Sequence, residues 1–304
     1  MVANNKNINT KKLVLIFLFL FFLIISLPCL LVTFFKFLFG AHIDSQIKLI
    51  VEKETSELST PEEKIQKLSR WFNDNIHYAE KNDTVFNILR LSICGIPEEI
   101  TFFLKRGRCG EWASLYLKLL NYSNISGRII SFVEDHAFVE ARINNTWVPI
   151  EPPFGITSFE YYKSTRNVSK AYARENDKFI DVTRNYSYTG ILFVKVFDDN
   201  NKTVFRANIC IFSKYLMLAH PNQYKNHKIS ICNVTDEYGT YEEELGKGIY
   251  DIWAWKFDFP FKCLFAERNS YVVSFNKTNE ISVGLESKDL LFCLYKILYL
   301  YIFE

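Results

Sequence analysis

Several features that would place this chain in a familiar class are missing. Its 304 residues carry 36 Lys and Arg against 34 Asp and Glu, and the basic residues are scattered rather than clustered. Nucleic-acid-binding proteins carry clustered basic charge, so no nucleic-acid partner is expected. The 7 cysteines include no C-x-x-C pair, which argues against a zinc ribbon or knuckle. No metal site and no cofactor are therefore expected, and an odd cysteine count leaves at least one thiol outside any disulfide within the chain.

The amino-terminal part has no charge over a long stretch. Residues 13–35 are uncharged, and the apolar run continues past Lys36 to residue 39. These 23 uncharged residues would reach about 34 Å as a helix, enough for a hydrocarbon core of about 30 Å. A cleaved signal peptide would have a shorter apolar region and a small-residue exit site, and neither is visible. The pattern favours a transmembrane helix over residues 13–39.

Glycosylation sequons indicate which side of the membrane the rest occupies. Lysines flank the apolar run almost equally, so charge alone sets no orientation. The triplet Asn-x-Ser/Thr occurs nine times after the run and would occur about three times by chance. Its asparagines are Asn82, Asn121, Asn124, Asn144, Asn167, Asn185, Asn201, Asn233 and Asn276. Such sequons mark surface positions of exported chains. We expect a single-pass protein of the cell membrane, with a cytoplasmic tail over residues 1–12 and the remainder outside.

Local signals predict helices followed by strands. Residues 40–59 are polar and amphipathic, which is typical of a juxtamembrane helix or linker. Thr60-Pro61-Glu62-Glu63 predicts a helix start with a capping box. A second amphipathic helix is predicted after Cys109. Strands are then predicted over residues 128–133, 136–143 and 147–151, with Asn144-Asn145 as a two-residue hairpin turn.

Gly107-Arg108-Cys109-Gly110-Glu111-Trp112-Ala113 is the most informative stretch. Glycine permits a tight turn and close approach by another molecule. The positive end of a helix that begins at this cysteine would favour its thiolate form. A single cysteine is more often a buried structural residue. Here a histidine and a carboxylate follow in a usable arrangement, which favours catalysis.

The predicted hairpin would bring that histidine and carboxylate together. With Asn144-Asn145 as a two-residue turn, position 153 lies opposite His136 and Glu151 lies diagonally across. Diagonal neighbours on adjacent strands are about 7–8 Å apart and share one face of the sheet. A nucleophile, a base and an orienting carboxylate could then converge from one helix start and two strands.

This order of residues resembles the transglutaminase-like branch of the papain-type cysteine enzymes, and within it the peptide:N-glycanases. The stretch around Cys109 looks like their nucleophile motif, Asp135-His136 like their histidine motif, and Trp147-x-x-x-Glu151-Pro152 like the segment that holds their acidic residue. The segment Asp181-Val182-Thr183-Arg184-Asn185-Tyr186 is similar to a further glycanase signature. The resemblance spans residues 60–188. The glycanases usually have Asp where Glu151 stands, and their paired C-x-x-C zinc site is missing, since only Cys94 lies in that region.

The resemblance implies a mechanism and a set of site residues. Cys109 would attack an amide carbonyl, His136 would act as base and then acid, and Glu151 would fix the histidine tautomer. The backbone N–H of Cys109 would stabilise the oxyanion, with Trp71 as candidate for the second donor. Glu111 and Trp112 would help hold the first sugar. The alternative roles are a core aromatic for Trp71, a helix cap for Glu111 and a core Trp for Trp112.

The carboxyl-terminal part predicts a second domain. Apolar strands at residues 191–196, 207–212, 228–232, 249–256 and 271–275 are separated by turn residues, which is typical of a β-sandwich. The stretch 234–250 resembles carboxypeptidase-regulatory or prealbumin-like sandwiches. We assign residues 189–285 to this accessory domain and residues 286–304 to an apolar tail that could be a strand, a docking helix or an interfacial segment.

The expected fold class is α+β, with an amino-terminal transmembrane helix, a papain-like or transglutaminase-like core over residues 60–188 and a carboxyl-terminal β-sandwich. The expected function is removal of N-glycans by a peptide:N-glycanase-like amidase. Its partners would be a glycoprotein or peptide substrate, and the membrane through the amino-terminal helix. One alternative keeps the chemistry in a cysteine protease or acyl-transferase at the cell surface. Another is a non-catalytic surface binding protein.

Overall fold

The computed structural model describes residues 10–80, 82–90, 95–134, 136–176, 178–214, 230–258 and 262–303. Within these ranges the chain is a mixture of helix and sheet. The helices are α1 (Thr10–Thr55), α2 (Pro61–Asn75), α3 (Thr84–Arg90), α4 (Glu98–Leu104), α5 (Cys109–Tyr122), α6 (Phe159–Thr165), α7 (Thr183–Tyr186) and α8 (Leu290–Phe303). Most of the predicted cytoplasmic tail, together with Cys94 and Asp135, lies outside the described residues.

The strands are short in the first half of the chain and longer in the second. In chain order they are β1 (His77–Tyr78), β2 (Arg106–Gly107), β3 (Gly127–Phe132), β4 (His136–Ile143), β5 (Thr146–Glu151), β6 (Gly155–Ile156), β7 (Ala171–Glu175), β8 (Lys178–Asp181), β9 (Thr189–Phe197), β10 (Asn208–Ser213), β11 (Ser230–Val234), β12 (Thr240–Gly246), β13 (Gly248–Asp258), β14 (Lys262–Val273), β15 (Thr278–Gly284) and β16 (Glu286–Asp289).

Contacts divide the chain into two compact units. The first holds the residues up to Ile129 together with Phe138–Thr157, and the second holds Ile130–Ala137 and the residues from Ser158 onward. This division differs from the domain boundary predicted at residue 188. The reason is visible within the second unit, where Lys170 forms ion pairs with Asp181 and with Glu243 of β12, so residues 158–188 are tied to the later strands.

Helix α1 is long and continuous. It has 46 residues and contains the predicted transmembrane segment, and it is apolar enough to span a membrane. Residues 40–55, for which the sequence left a juxtamembrane helix or a linker open, continue α1 without a break. Ile43, Ile47 and Val51 on this part are buried. Their spacing of four residues places them on one face of the helix, and α1 packs there against α2, α4 and α5.

Two local predictions in the first unit are confirmed. Helix α2 begins at Pro61, with the Thr60 hydroxyl accepting from the N–H of Glu63 and the Glu63 carboxylate accepting from the N–H of Thr60. The hairpin of β4 and β5 pairs Ile143 with Thr146, as a two-residue turn requires. Asn144 and Asn145 both have positive φ, 49° and 65°, which is the type I′ geometry favoured by the strand twist.

The second unit contains two sheets that share one apolar core. The strand orders are β11-β10-β13-β14-β16 and β12-β9-β15. Inward-facing residues of both sheets form the core, among them Leu192, Val194, Ile209, Ile252 and Tyr241. Of the predicted strands, 191–196, 207–212, 249–256 and 271–275 overlap observed strands, and 230–232 lies in β11. Residues 228–229 lie outside the described part.

The apolar tail forms a short strand followed by a helix. Residues 286–289 form β16, which pairs with β14, and α8 follows directly. A disulfide joins Cys293 of α8 to Cys263 of β14, and Lys296 forms an ion pair with Glu267. A second disulfide, Cys210–Cys232, links the neighbouring strands β10 and β11. The tail is therefore docked on the five-stranded sheet.

Candidate active site

Cys109 is the first residue of α5, as the sequence predicts. The chain reaches it through β2, which pairs in parallel with β1, and the N–H of Ala79 donates to the carbonyl of Gly107 at 2.9 Å. The side chain is half-buried and is not part of a disulfide. The pairing of β1 and β2 holds the turn immediately before the cysteine, so the thiol is presented at a helix start by a braced backbone.

Glu111 caps the start of α5. Its carboxylate accepts a hydrogen bond from the N–H of Arg108 at 3.0 Å, while the Arg108 guanidinium donates to Oδ1 of Asn87 at 2.9 Å. The cap satisfies the N–H just before the helix. The N–H groups of the first helical turn have no intrahelical acceptor, and the backbone N–H of Cys109 is one of them. Glu111 therefore has the cap role that was its alternative.

Trp112 is held by aromatic rings one turn further along. Its indole meets Phe72 and Tyr78 edge to face, with ring centroids 5.6 Å and 5.3 Å apart. Tyr78 is 54% exposed, so this contact reaches the surface. The indole Nε1 of Trp112 is buried and has no hydrogen-bond partner among the residues described. A buried N–H in this state costs free energy unless something accepts from it.

Glu151 is the last residue of β5 and is 9% exposed. It pairs with Gly155 of β6, and the chain turns tightly between them, with the N–H of Phe154 donating to the Glu151 carbonyl at 2.9 Å. Gly155 has φ +87° and lies against Gln66 of α2, where a Cβ would come within 2.9 Å of the Gln66 amide oxygen. The turn that carries Glu151 is thus packed on a helix of the same unit.

His136 is the first residue of β4 and belongs to the second unit. It is half-buried, and its ring centroid lies 5.8 Å from that of Phe132. Phe132 in turn packs edge to face against Tyr162 and Tyr186. The observed register of β4 and β5, Val139 with Ile150 and Ile143 with Thr146, is the register on which the predicted diagonal placement of Glu151 depends.

Trp71 lies in a different set of contacts. Its ring stacks on Phe102 of α4 at 6.3 Å between centroids, and the Lys105 ammonium lies 5.6 Å from it. Trp71 is half-buried in these contacts, and its role as second oxyanion donor stays a prediction.

The segment Asp181–Tyr186 makes structural contacts in the second unit. Asp181 accepts from the N–H of Thr183 and pairs with Lys170, and its pKa is lowered by those hydrogen bonds in spite of its burial. Arg184 forms an ion pair with Glu244, and Tyr186 is fully buried among aromatic rings. These contacts account for the segment without a ligand.

All nine sequon asparagines are exposed. Four of them, Asn124, Asn144, Asn201 and Asn276, have a positive φ at turns. Every predicted acceptor position is therefore accessible to an enzyme or carrier that acts on the folded surface.

Two neighbours of the site were not predicted from the sequence. Tyr78 supports Trp112 from a two-residue strand, which is too short to show any hydrophobic period. Glu134, two residues before His136, has a buried carboxyl group that accepts from the N–H of Ser169, and burial raises its pKa to about 7. The burial of Glu134 could not be predicted, because a charged residue in a turn between two strands is normally exposed.

Comparison with known protein families identifies the first part of the chain. Residues 49–152 match the model of the transglutaminase-like superfamily. The matched residues include Trp71, Cys109, His136 and Glu151. Over these residues the chain is therefore similar to the transglutaminase-like superfamily, and this similarity supports a cysteine hydrolase-like enzyme. No curated protein sequence matches this chain.

Three solved structures with detectable similarity each cover about a third of the chain. A "putative cysteine protease" from Cytophaga hutchinsonii matches with 18% identity over 37% of this chain and 38% of that protein, at TM-score 0.30. A shaft pilin from Lactobacillus rhamnosus GG matches with 11% identity over 33% and 50%, at TM-score 0.25. A 3-chlorocatechol 1,2-dioxygenase from Rhodococcus opacus 1CP matches with 8% identity over 33% and 59%, at TM-score 0.23. This chain spans little more than a third to about three fifths of these proteins, and no activity is transferred from them.

Proposed function

We propose that this chain is a membrane-anchored cysteine amidase in which Cys109 is the nucleophile, His136 the base and Glu151 the orienting carboxylate. The observation that carries the proposal is the position of Cys109. It is a thiol at the first residue of α5, in a turn braced by β1 and β2, inside the segment that matches the transglutaminase-like superfamily. The backbone N–H groups at a helix start suit a developing oxyanion.

The proposed reaction has two steps. The Cys109 thiolate attacks the carbonyl carbon of a substrate amide, and the C–N bond breaks as the protonated His136 gives its proton to the departing nitrogen. The amine leaves and a thioester remains. Water, with its proton taken by His136, then hydrolyses the thioester and releases the acid and the thiol. Glu151 holds the imidazole in one tautomer throughout.

For the substrate we propose an N-glycosylated asparagine, which would yield aspartate and a glycosylamine. The glycanase-like motifs around Cys109 and Glu151 support this choice. Glu111 has its capping contact and would act through the position of the helix start.

The test is incubation of the purified protein with a defined N-glycopeptide, analysed by mass spectrometry. We expect a peptide in which aspartate replaces the glycosylated asparagine, and no product from Cys109→Ala. Because the side chain of Cys109 is only half-buried, the alanine variant should keep the fold, which circular dichroism checks. An intact glycopeptide in the presence of a reactive thiol would exclude the glycanase substrate.

The same chemistry would serve a cysteine protease or an acyl-transferase. Cleavage of an unglycosylated peptide, or incorporation of a fluorescent primary amine into a glutamine-containing protein, would favour these alternatives. A non-catalytic surface binding protein is the remaining alternative. A thiol alkylator at neutral pH distinguishes it, because Cys109 would then react no faster than a cysteine introduced at an exposed control position such as Tyr238.

We also propose that both units face the outside of the cell and that the second is a β-sandwich accessory domain. Nine exposed sequons support export, and two disulfides in the second unit support an oxidising compartment. The shared core of its two sheets supports the sandwich. A glycosidase-sensitive gel shift tests the orientation. It is best measured on Cys109→Ala, because the active protein could remove its own glycans.

A further inference from the structure

Helix α1 packs directly against the domain that it would anchor. Val32 is buried in a cluster with Phe86 of α3 and Ile100 of α4, and the Phe35 ring lies 5.2 Å from that of Phe103. Val32 and Phe35 belong to the uncharged run that the sequence predicts to cross the membrane. Protein packing on α1 therefore starts before the apolar run has ended.

Ion pairs also join this part of α1 to α4 and α5. The Lys36 ammonium lies 3.8 Å from the buried carboxylate of Glu99, and the Lys118 ammonium lies 2.8 Å from it. Lys118 also lies 2.6 Å from Asp44 of α1, and these hydrogen bonds raise its pKa although burial alone would lower it. Glu99 and Lys118 are largely buried, with side chains 5% and 16% exposed, whereas Lys36 and Asp44 of α1 are 56% and 40% exposed. Breaking these pairs removes partners from the two buried charges, which costs free energy. The helix cannot bend away from α4 and α5 without breaking them.

Length places this junction at the membrane surface. At 1.5 Å per residue the 46 residues of α1 extend about 69 Å, and a hydrocarbon core of about 30 Å accommodates about 20 of them. A span over the charge-free run ends near Lys36, the first charged residue after it. Helices α3 and α4 pack on α1 at this level.

These two short helices expose large apolar side chains. Val85 and Ile88 of α3 are 60% and 50% exposed, and Phe103 of α4 is 61% exposed. On α1 itself Leu30, Phe34 and Phe37 are 64%, 61% and 83% exposed. We call these six side chains the collar. Exposed apolar patches of this kind mark surfaces that contact a membrane or another protein.

We propose that the collar contacts the lipid bilayer, so that α3 and α4 are embedded in the membrane interface beside α1. The inference rests on the proposed membrane anchor. Lipid is favoured over a protein partner because Leu30 and Phe34 of the collar belong to the span itself, whose exposed face must meet acyl chains.

The test measures lipid exposure in the full chain reconstituted in phospholipid vesicles. In a Cys109→Ala background, nitroxide spin labels are attached at Ile88→Cys, Phe103→Cys, Leu20→Cys within the span, and Asn73→Cys as an exposed polar control on α2. Collision with oxygen, which concentrates in the bilayer, is compared with collision with a water-soluble nickel chelate. The unsubstituted Cys109→Ala chain measures background labelling.

We expect the oxygen-to-nickel ratio at positions 88 and 103 to exceed that at position 73 severalfold, and to approach that at position 20. A ratio at 88 and 103 equal to that at 73, with position 20 in lipid, would overturn the collar and leave the anchor intact. Water exposure at position 20 would overturn both the membrane anchor and the contact of the collar with lipid. Spin–spin broadening at 103 would show a second copy on this surface and would also overturn the proposal.

Discussion

The two glycines that flank Cys109 have different surroundings. A Cβ at Gly107 would lie 2.9 Å from the Trp112 ring, 3.0 Å from the Thr101 methyl and 3.1 Å from the Glu111 Cβ, whereas a Cβ at Gly110 would meet nothing within 4 Å. Gly107 is therefore required by packing. Gly110 is a helical glycine on an exposed surface, and it leaves open space beside the proposed nucleophile, where a substrate would bind.

We expect Gly107→Ala to lower the free energy of unfolding by about 1–3 kcal/mol, since an added methyl group must displace its neighbours. Gly110→Ala should raise it by about 0.5–1 kcal/mol, because alanine favours the helix. If Gly110 keeps space for substrate, the second variant should lose activity while gaining stability. Denaturant unfolding and glycopeptide turnover measure both quantities, and full activity in Gly110→Ala would exclude that role.

Glu134 should make stability depend on pH. Burial raises its pKa from 4.5 to about 7 in the folded state. Between these values the folded chain keeps a proton that the unfolded chain has lost, so stability falls as pH rises from about 4.5 to 7 and is flat above. The loss is about 3 kcal/mol. The difference in unfolding free energy between wild type and Glu134→Gln should show this slope.

The control for that experiment is Glu237→Gln, which removes an exposed carboxylate from the same unit. The unfolding free energy of Glu237→Gln should still fall between pH 4.5 and 7, as it does in the wild type. If the unfolding free energies of wild type and Glu134→Gln changed in parallel with pH, Glu134 would be ionised in the folded protein over this range.

At the scale of elements, the hairpin of β3 and β4 contains a buried charge pair. Arg128 and Glu140 are 6% and 0% exposed, with 2.5 Å between Nε and Oε2, and the Arg128 guanidinium lies 4.1 Å from the Trp147 ring. Removing one member leaves the other charged and buried. We expect Arg128→Met to cost about 3–5 kcal/mol, and Arg128→Met with Glu140→Leu to recover a large part of it.

The matched control is the exposed pair of Lys288 and Glu286, with side chains 38% and 75% exposed. Lys288→Met should change the unfolding free energy by less than about 1 kcal/mol. If urea unfolding showed the same decrease in unfolding free energy for Arg128→Met and Lys288→Met, the explanation given for the buried pair would be wrong.

Local chemistry explains which elements could be predicted. The capping box of Thr60 and Glu63, the Asn144-Asn145 turn and the start of α5 at Cys109 depend on residues within a few positions of each other. Two features escaped prediction because long-range packing decides them. Helix α1 passes Gly40 without a break because its later turns are buried, and Lys170 is placed by Glu243, 73 residues away. Around the candidate site, the start of α5 at Cys109 could be predicted in the same way, whereas the packing of Tyr78 on Trp112 and the burial of the Glu134 carboxyl group could not.

At the scale of the whole molecule, α1 supplies part of the core of the first unit in addition to its proposed role as membrane anchor. Ile43, Ile47 and Val51 are 3%, 0% and 1% exposed. Burial of side chains of this size is worth about 1.5–3 kcal/mol each, together about 5–9 kcal/mol, against a typical stability of about 5–15 kcal/mol. A chain that starts at residue 30 should therefore fold, and one that starts at residue 56 should not.

Near-ultraviolet circular dichroism and resistance to protease distinguish these outcomes. Both shortened chains lack most of the uncharged run, so a difference between them reports on residues 30–55 alone. Equal protection of the two chains would show that α1 contributes nothing to the first unit.

Many membrane-anchored ectodomains are released when a protease cuts the flexible stalk above the bilayer. The junction in this protein leaves no stalk, because the residues that would form one are helical and their inner face is core. A cut between residues 40 and 55 would destroy the first unit instead of shedding it. With the proposed activity and the proposed orientation, catalysis would be confined to the surface of the cell that made the protein, and to substrates presented at a set height above that surface.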